Sequence, residues 1–148
     1  MNAEKIESFR PHLATAIFCE KVLQEKDGVL SAIRIVERIN VSAGAGAPDE
    51  MPPVPIRLTA LLMFKSGFMR GKGTVTLTPQ SPSGKRMPEA KFPALFEGDD
   101  RGVNLLVNLG LQAEEEGLYW FDVCFEQELV TRMPLRVLYQ RVGFGPSS

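Results

Sequence analysis

The sequence predicts an all-β fold, a single-domain antiparallel β-sandwich of about seven to nine strands. The first observation is the region 103–111, in which branched apolar residues alternate with asparagine, leucine and glycine. The second is the region 119–125, in which aromatic and branched residues alternate with Trp120, Asp122 and Cys124. A period of two gives a strand one buried face and one more polar face. The third observation is the clusters of glycine, proline and acidic residues between such regions, which are typical of turns.

Length and composition fit one globular domain. The chain has 148 residues, of which 44% are hydrophobic and 24% charged, so it is long enough to bury a core without metals or disulfides. Its net charge of −1 favours neither nucleic acid nor an anionic membrane as a partner. The N-terminus lacks the pattern of a secretory signal, and no apolar run approaches the roughly 18 residues of a membrane helix. The sequence therefore predicts a cytoplasmic protein with no membrane association.

The expected domain runs from 12 to 142, between an N-terminal arm of residues 1–11 and a flexible C-terminal tail of residues 143–148. Its first element, 13–23, is a nearly continuous apolar run whose residue types also tolerate a helix. The Asp27-Gly28 dipeptide is a strong hairpin signal, and the β-branched return strand 29–39 follows it. These signals favour a strand for the first element and leave a helix open.

Turn and strand signals also organise the rest of the chain. The small residues and prolines of 40–55 cannot build a core, which predicts a flexible connection over the surface. Residues 66–73 are rich in glycine and predict a hairpin tip, whereas 97–102 predict an acidic turn. Pro134 predicts an edge strand or a bulge. The expected later strands are 56–65, 74–79, 91–96, 103–111, 119–125 and 129–139, with a long turn at 79–88.

Both ends of the domain resemble an uncharacterised bacterial family of small immunoglobulin-like β-sandwich proteins of unknown function. Residues 18–22 and 27–39 are similar to the apolar strand, Asp-Gly-type turn and return strand with which that family opens. Residues 116–123 and 129–137 are similar to its closing hairpin, in which Gly-x-Tyr opens the penultimate strand and Pro-Leu-x-Val forms the last. The resemblance implies an immunoglobulin-like sandwich. Because its motifs are turns and strand alternation, it implies no catalytic residue or substrate.

The sequence predicts no catalytic site, no metal site and no cofactor. His12 is the only histidine, which is too few ligands for zinc and would serve at most as a lone general base. Cys124 would need a neighbouring cation or histidine to become a nucleophile, so we expect a structural role. We expect Cys19 and Cys124 to be reduced, with a bridge between these two strands as the alternative. The acidic residues 97–101 lack the spacing of a calcium loop and are interpreted as a solvated turn, with cation binding left open.

The strongest indication of a contact surface in the sequence is Phe68 and Met69, two large apolar residues between glycines at the expected hairpin tip. Arg70 and Lys72 lie beside them, and apolar residues that cannot reach a core are typical of a binding surface. Trp120, on the strand face that points away from the core, indicates a second contact. The alternative for Phe68 and Met69 is that they fold back over the sheet and cap the core.

Charge is unevenly distributed along the chain. Six basic residues and one acid lie in 65–91, whereas nine acids and one base lie in 97–128. Such segregation suits self-association or a charged partner, unless folding interleaves the two segments. Together with apolar residues on both faces of two strands, it predicts a non-enzymatic sandwich that acts through protein–protein contacts, as a homo-oligomer or with a protein partner. The alternative is a domain that binds a small molecule or an anionic ligand through the basic 65–91 segment.

Overall fold

A computed structural model describes residues 10–141, and these residues form β-strands joined by turns, without a helix. The all-β prediction is therefore confirmed, with seven strands in the described residues. Most of the expected N-terminal arm and the whole of the expected tail lie outside this part of the chain. The strands are β1 (His12–Gln24), β2 (Leu30–Val36), β3 (Arg38–Ala43), β4 (Val54–Gln80), β5 (Ala90–Ala113), β6 (Gly117–Phe125) and β7 (Glu128–Arg141).

The strands form one sheet that is curled into a half-barrel. Its first half has the order β2-β1-β4-β5 and uses residues 54–65 of β4 with 102–113 of β5. Its second half has the order β5-β4-β6-β7-β3 and uses residues 70–80 of β4 with 90–97 of β5. The prediction of a purely antiparallel arrangement is wrong, because β3 runs parallel to β7. Parallel pairing needs a long crossover connection, and the three strands between β3 and β7 supply it.

The two longest strands pass from one half to the other through a bend. Gly67 of β4 and Gly98 of β5 have φ angles of 59° and 88°, and Asp99 has a φ of 56°. The pairing register shifts at the same place, as in a β-bulge, and a bulge bends its strand. The predicted hairpin tip at 66–73 and the predicted turn at 97–102 are therefore wrong, because these glycines bend two continuous strands and do not reverse the chain.

A buried hydroxyl holds the bend together. Ser66 is fully buried, and its Oγ donates a hydrogen bond to the carbonyl oxygen of Arg101 at 2.7 Å. On the outside of the bend, Arg70 Nη1 donates to the carbonyl oxygen of Glu97 at 2.8 Å. These bonds join β4 to β5 where the regular ladder is interrupted, so the curvature has its own side-chain support.

The N-terminal region is a β-hairpin. Residues 13–23, for which the sequence left a helix open, therefore form a strand. Gly28 has a φ of 86° in the turn, and the Asp27 carboxylate accepts a hydrogen bond from the Val29 amide at 3.1 Å. A positive φ is easily reached by glycine, which is why the Asp-Gly signal predicted the turn correctly.

The return strand is shorter than the predicted 29–39. It ends at Val36, and after Glu37 the chain enters β3, which belongs to the second half. The flexible connection predicted for 40–55 is therefore a strand in its first part, and β4 begins at Val54. Backbone pairing with β7 supplies the order that the small side chains of this segment could not supply by packing.

Side chains from both halves form one core. Phe18 of the first half meets Phe121 of the second with ring centroids 4.8 Å apart in an edge-to-face arrangement. Phe96 contacts Phe64 in the same way at 6.2 Å. The alternation predicted for 103–111 and 119–125 is present, with Val107, Tyr119, Phe121 and Val123 buried.

Candidate functional site

The first half carries an apolar surface on the side that points away from the core. Residues directly opposite each other in a ladder share a face, and Leu61 lies opposite both Ile17 and Leu106. Met63 is two residues further along β4 and therefore lies on the same side. We call this surface the first outer face, and it comprises Ile17, Cys19, Ile33, Ile35, Thr59, Leu61, Met63, Leu106 and Asn108.

The centre of the first outer face carries no charge, and the charged side chains on the same side of the sheet, Lys21, Arg57 and Lys65, lie at its margin. At its edges Ile35 is 61% exposed and Leu106 is 41% exposed, whereas Leu61 in its centre is covered by its neighbours. Its polar side chains pair with each other, since Thr59 Oγ1 donates to Asn108 Oδ1 at 3.4 Å. A sheet face in water normally carries polar residues, so a continuous apolar face is a candidate contact surface.

The second half carries a polar network on its corresponding side. Arg132 Nε donates to Asp122 Oδ1 at 2.8 Å, and Arg132 Nη2 donates to Gln80 Oε1 at 3.3 Å. The guanidinium carbon lies 4.7 Å from the ring centroid of Trp120, within the range of a cation–π interaction. We call this surface, with Gln80, Trp120, Asp122, Cys124 and Arg132, the second outer face. Trp120 points away from the core as predicted, and Arg132 occupies a face of its ring.

The other predicted contact residues lie at the bend of β4, and the structure separates them. Phe68 is 66% exposed, whereas Met69 packs against the core, as the capping alternative expected. Arg70 is bound to β5, with Nη2 3.5 Å from Asp99 Oδ2. Lys72 is exposed beyond the bend. Phe68 and Lys72 are therefore exposed near the bend, whereas Trp120 lies in a different part of the second half.

The charged segments interleave within the chain. Because β4 and β5 run side by side, the basic residues at the bend of β4 lie next to the acidic residues of 97–101. Arg70 pairs with Asp99, and Arg101 pairs with Glu97 at 3.1 Å. The segregation seen along the sequence is thus partly neutralised within one molecule, and it does not by itself indicate a charged partner.

Neither cysteine has the environment of a nucleophile. Cys19 and Cys124 are both free thiols, so the alternative of a bridge is wrong. Burial raises the pKa of each thiol, and the Asp122 carboxylate raises the pKa of Cys124 further while Arg86 lowers it. A raised pKa favours the thiol over the reactive thiolate. His12 is exposed at the start of β1, opposite Lys65.

A cleft of about 600 Å³ opens between the two halves along β5. One wall is the run 107–112 of β5, and the opposite wall is formed by 85–92, at and after the tip of the β4–β5 hairpin. Leu77 and Tyr119 line its inner side. The volume lies within the range of about 300–1,000 Å³ that is typical of ligand sites. Sequence analysis missed this cleft, because it exists only where the bend brings distant parts of β5 opposite each other.

The described part of the chain offers no metal site and no membrane-spanning helix. Among residues 10–141, no group of three or more histidine, cysteine, aspartate and glutamate side chains is placed to hold an ion. The same residues contain no helix of the length and apolar character that a bilayer crossing requires.

Comparisons with known proteins find similarity among solved structures. No protein-family model matches the sequence, and no curated protein matches it. The chain is similar to the crystal structure of an immunoglobulin-like protein from Pseudomonas aeruginosa, at 13% sequence identity and a TM-score of 0.41, over 86% of this chain and 96% of that chain.

Proposed function

We propose that this protein is a non-enzymatic β-sandwich of the immunoglobulin-like type that acts through protein contacts and self-associates through its first outer face. The observation that carries the proposal is the apolar surface with an uncharged centre that crosses all four strands of the first half, from Ile35 on β2 to Leu106 on β5. Burying apolar area contributes about 25 cal/mol per Å², so two such faces gain stability by covering each other.

A second copy of the chain suits this face because the centre of the face is uncharged. In a two-fold dimer each residue meets the same surface on the partner, so any charge near the axis meets a like charge. Here the charged residues Lys21, Arg57 and Lys65 lie at the margin, and the centre is formed by Ile17, Leu61 and Met63. The second outer face, with Asp122 and Arg132 already paired, lacks this property.

Two features support the sandwich description. The halves face each other through the contact between Phe18 and Phe121. At the start of β6 the Tyr119 hydroxyl donates to the carbonyl oxygen of Glu115 at 2.6 Å. A tyrosine that bonds back to the backbone a few residues upstream is the corner found in many immunoglobulin-type sandwiches.

The test is solution mass by light scattering at micromolar concentration, at low salt and at roughly physiological salt. Met63→Glu places a charge in the centre of the first outer face, and we expect it to convert an oligomer into a monomer. The matched control is Thr76→Glu, a half-buried position on the outer side of the second half of the same strand, which should leave the mass unchanged. A monomeric parent protein, or equal dissociation by both variants, would overturn the proposal.

The alternative, a site for an anionic ligand in the basic 65–91 segment, has weaker support. The basic residues are distributed along β4 and its hairpin, and Arg70 and Lys91 already have carboxylate partners. Lys85 and Arg86 lie at the cleft, beside the acidic Glu114 and Glu115. A cleft wall that carries both signs of charge does not select an anion.

A further inference from the structure

Within the part of the chain that the structure describes, the outer edge of β5 has no partner strand. In residues 10–141, β5 pairs only with β4, and no other backbone hydrogen bond engages it from 103 to 112. Alternate residues of an antiparallel strand direct their N–H and C=O groups to the same side. Every second residue of this segment therefore presents a free donor and a free acceptor along one line.

The open edge is unprotected in its second part. Natural sheets guard their edges with charges, prolines and bulges. The first part of β5 has all three, in Lys91, Pro93 and the bulged bend. The β2 edge carries Arg34, which has a φ of 54° and an ion pair with Glu20. Residues 102–112 contain neither a charge nor a proline.

The unprotected edge lies against the cleft. This cleft is lined by all six successive residues from Val107 to Gln112, so it reaches the main chain of the segment as well as its alternate side chains. A strand added there would direct every second side chain into the cleft, towards Met87, Phe92 and Tyr119.

One end of the cleft is held in place by hydrogen bonds. The Glu115 carboxylate accepts a bond from the Ser83 amide at 2.7 Å and another from the Ser83 hydroxyl at 3.1 Å. These bonds tie the tip of the β4–β5 hairpin to the end of β5. Because the separation of the walls is preset, an incoming chain does not have to order them, and this reduces the entropic cost of binding.

We propose that residues 103–112 of β5 bind an extended, uncharged segment of another protein, which adds as a further strand and places alternate apolar side chains in the cleft. Main-chain bonds would give the affinity and the cleft would select side chains at alternate positions, as in other complexes formed by strand addition. The site uses the edge of β5 and the space between the halves. It shares only Leu106 and Asn108 with the first outer face. Peptide binding and the mass of the free protein are measured separately, so either proposal can fail alone.

The first experiment titrates the full chain with a synthetic peptide of about ten residues in which leucine alternates with threonine, with terminal lysines for solubility. Backbone amide resonances should shift in 103–112, and hydrogen exchange should slow there but not in β2 or β3. A peptide of the same composition with the alternation scrambled should bind at least about tenfold more weakly. The absence of binding at millimolar peptide, or shifts confined to other strands, would overturn the proposal.

Two N-methylated peptides test the ladder directly. Each peptide carries N-methyl groups on the amides of one edge only, which removes the hydrogen-bond donors of that edge and leaves the side chains unchanged. The peptide that is methylated on the edge facing β5 should lose at least about tenfold in affinity, whereas the peptide methylated on the opposite edge should retain its affinity. Equal affinity for both would mean that apolar contact alone drives binding, which contradicts strand addition.

A protein variant gives a matched control. A side chain added at Gly110 meets no atom within 4 Å, and the same holds for Gly46 in the loop before β4. Gly110→Lys puts a protecting charge on the open edge and should weaken peptide binding by about tenfold, with folding unchanged. Gly46→Lys carries the same charge away from the edge and should bind like the parent chain. Equal binding by Gly110→Lys and the parent chain would contradict the proposed site.

Discussion

The two outer faces of this sheet come from the same alternation of residues and differ in chemistry. The first outer face has Ile17, Leu61 and Met63 at its centre and carries no charge there. The second outer face has Trp120 under the Arg132 guanidinium, which is held by the Asp122 carboxylate. The second face therefore satisfies its large side chains within the molecule, whereas the first leaves Ile35 and Leu106 exposed at its edges.

The difference shows why a single residue is a poor guide to a contact surface. Trp120 is the most conspicuous outward residue in the sequence, and its ring is already covered by an arginine of the neighbouring strand. Leu106 and Ile35 are ordinary residues, and they matter because ladder register places them on one continuous surface. Contact potential depends on what neighbouring strands contribute across the sheet.

The largest expected effect tests whether the two faces belong to one cooperative unit. Phe121→Ala removes a fully buried ring that contacts Phe18 in the other half, and it should cost about 3–5 kcal/mol of unfolding free energy. Urea unfolding is followed by Trp120 fluorescence in the second half and by labelling of Cys19 in the first, in a Cys124→Ala background. The unfolding midpoints that the two probes report should shift by the same amount.

The matched control for Phe121→Ala is Leu95→Ala, an exposed position on β5 that should change stability by less than about 0.5 kcal/mol. Separate transitions for the two probes would mean that the halves unfold independently, and the faces would then belong to separate units.

A smaller effect is expected in the pH dependence of stability, which a buried phenol in the second half controls. Burial raises the pKa of the Tyr119 phenol above its ordinary value, so the folded state favours the neutral form. The contribution of the neutral Tyr119 phenol to the free energy of unfolding is complete below the unfolded-state pKa of about 10, and it is lost as the pH rises through the folded-state pKa. Tyr119→Phe removes the bond to Glu115, should cost about 0.5–1.5 kcal/mol at neutral pH, and should flatten this alkaline loss.

Tyr139→Phe is the control for the alkaline titration, because its hydroxyl also donates to a carbonyl oxygen, that of Pro48 at 2.7 Å, from a less buried position. Denaturant melts between about pH 7 and 11 measure both variants. If Tyr119→Phe keeps the full alkaline loss of the parent chain, the buried phenol is not its source.

The smallest expected effect concerns the polar network itself. Asp122→Asn removes the charged partner of Arg132 and should cost about 0.5–1 kcal/mol. It also removes a carboxylate that raises the pKa of Cys124, so that pKa should fall and alkylation by iodoacetamide near neutral pH should accelerate. Rates are measured in a Cys19→Ala background. An unchanged pH profile would show that burial alone controls this thiol.

Sequence reasoning succeeded where a signal is local. The alternation of 119–125 and the Asp27-Gly28 turn were predicted correctly, because strand faces and tight turns depend on neighbouring residues. It failed at 66–73 and 97–102, because glycines with positive φ occur at bends within a continuous strand as well as at turns that reverse the chain. Only the partner strand distinguishes these two cases.

The amino-acid sequence by itself determined that this chain is built of strands, which residues alternate along each of them, and that 102–112 carry no charge. The tertiary structure decided which outward faces join into a surface, and it placed the two parts of β5 on either side of a cleft. The physical reason is that side-chain direction follows from the local backbone period, whereas surfaces and clefts depend on register and curvature between strands that are distant in the chain.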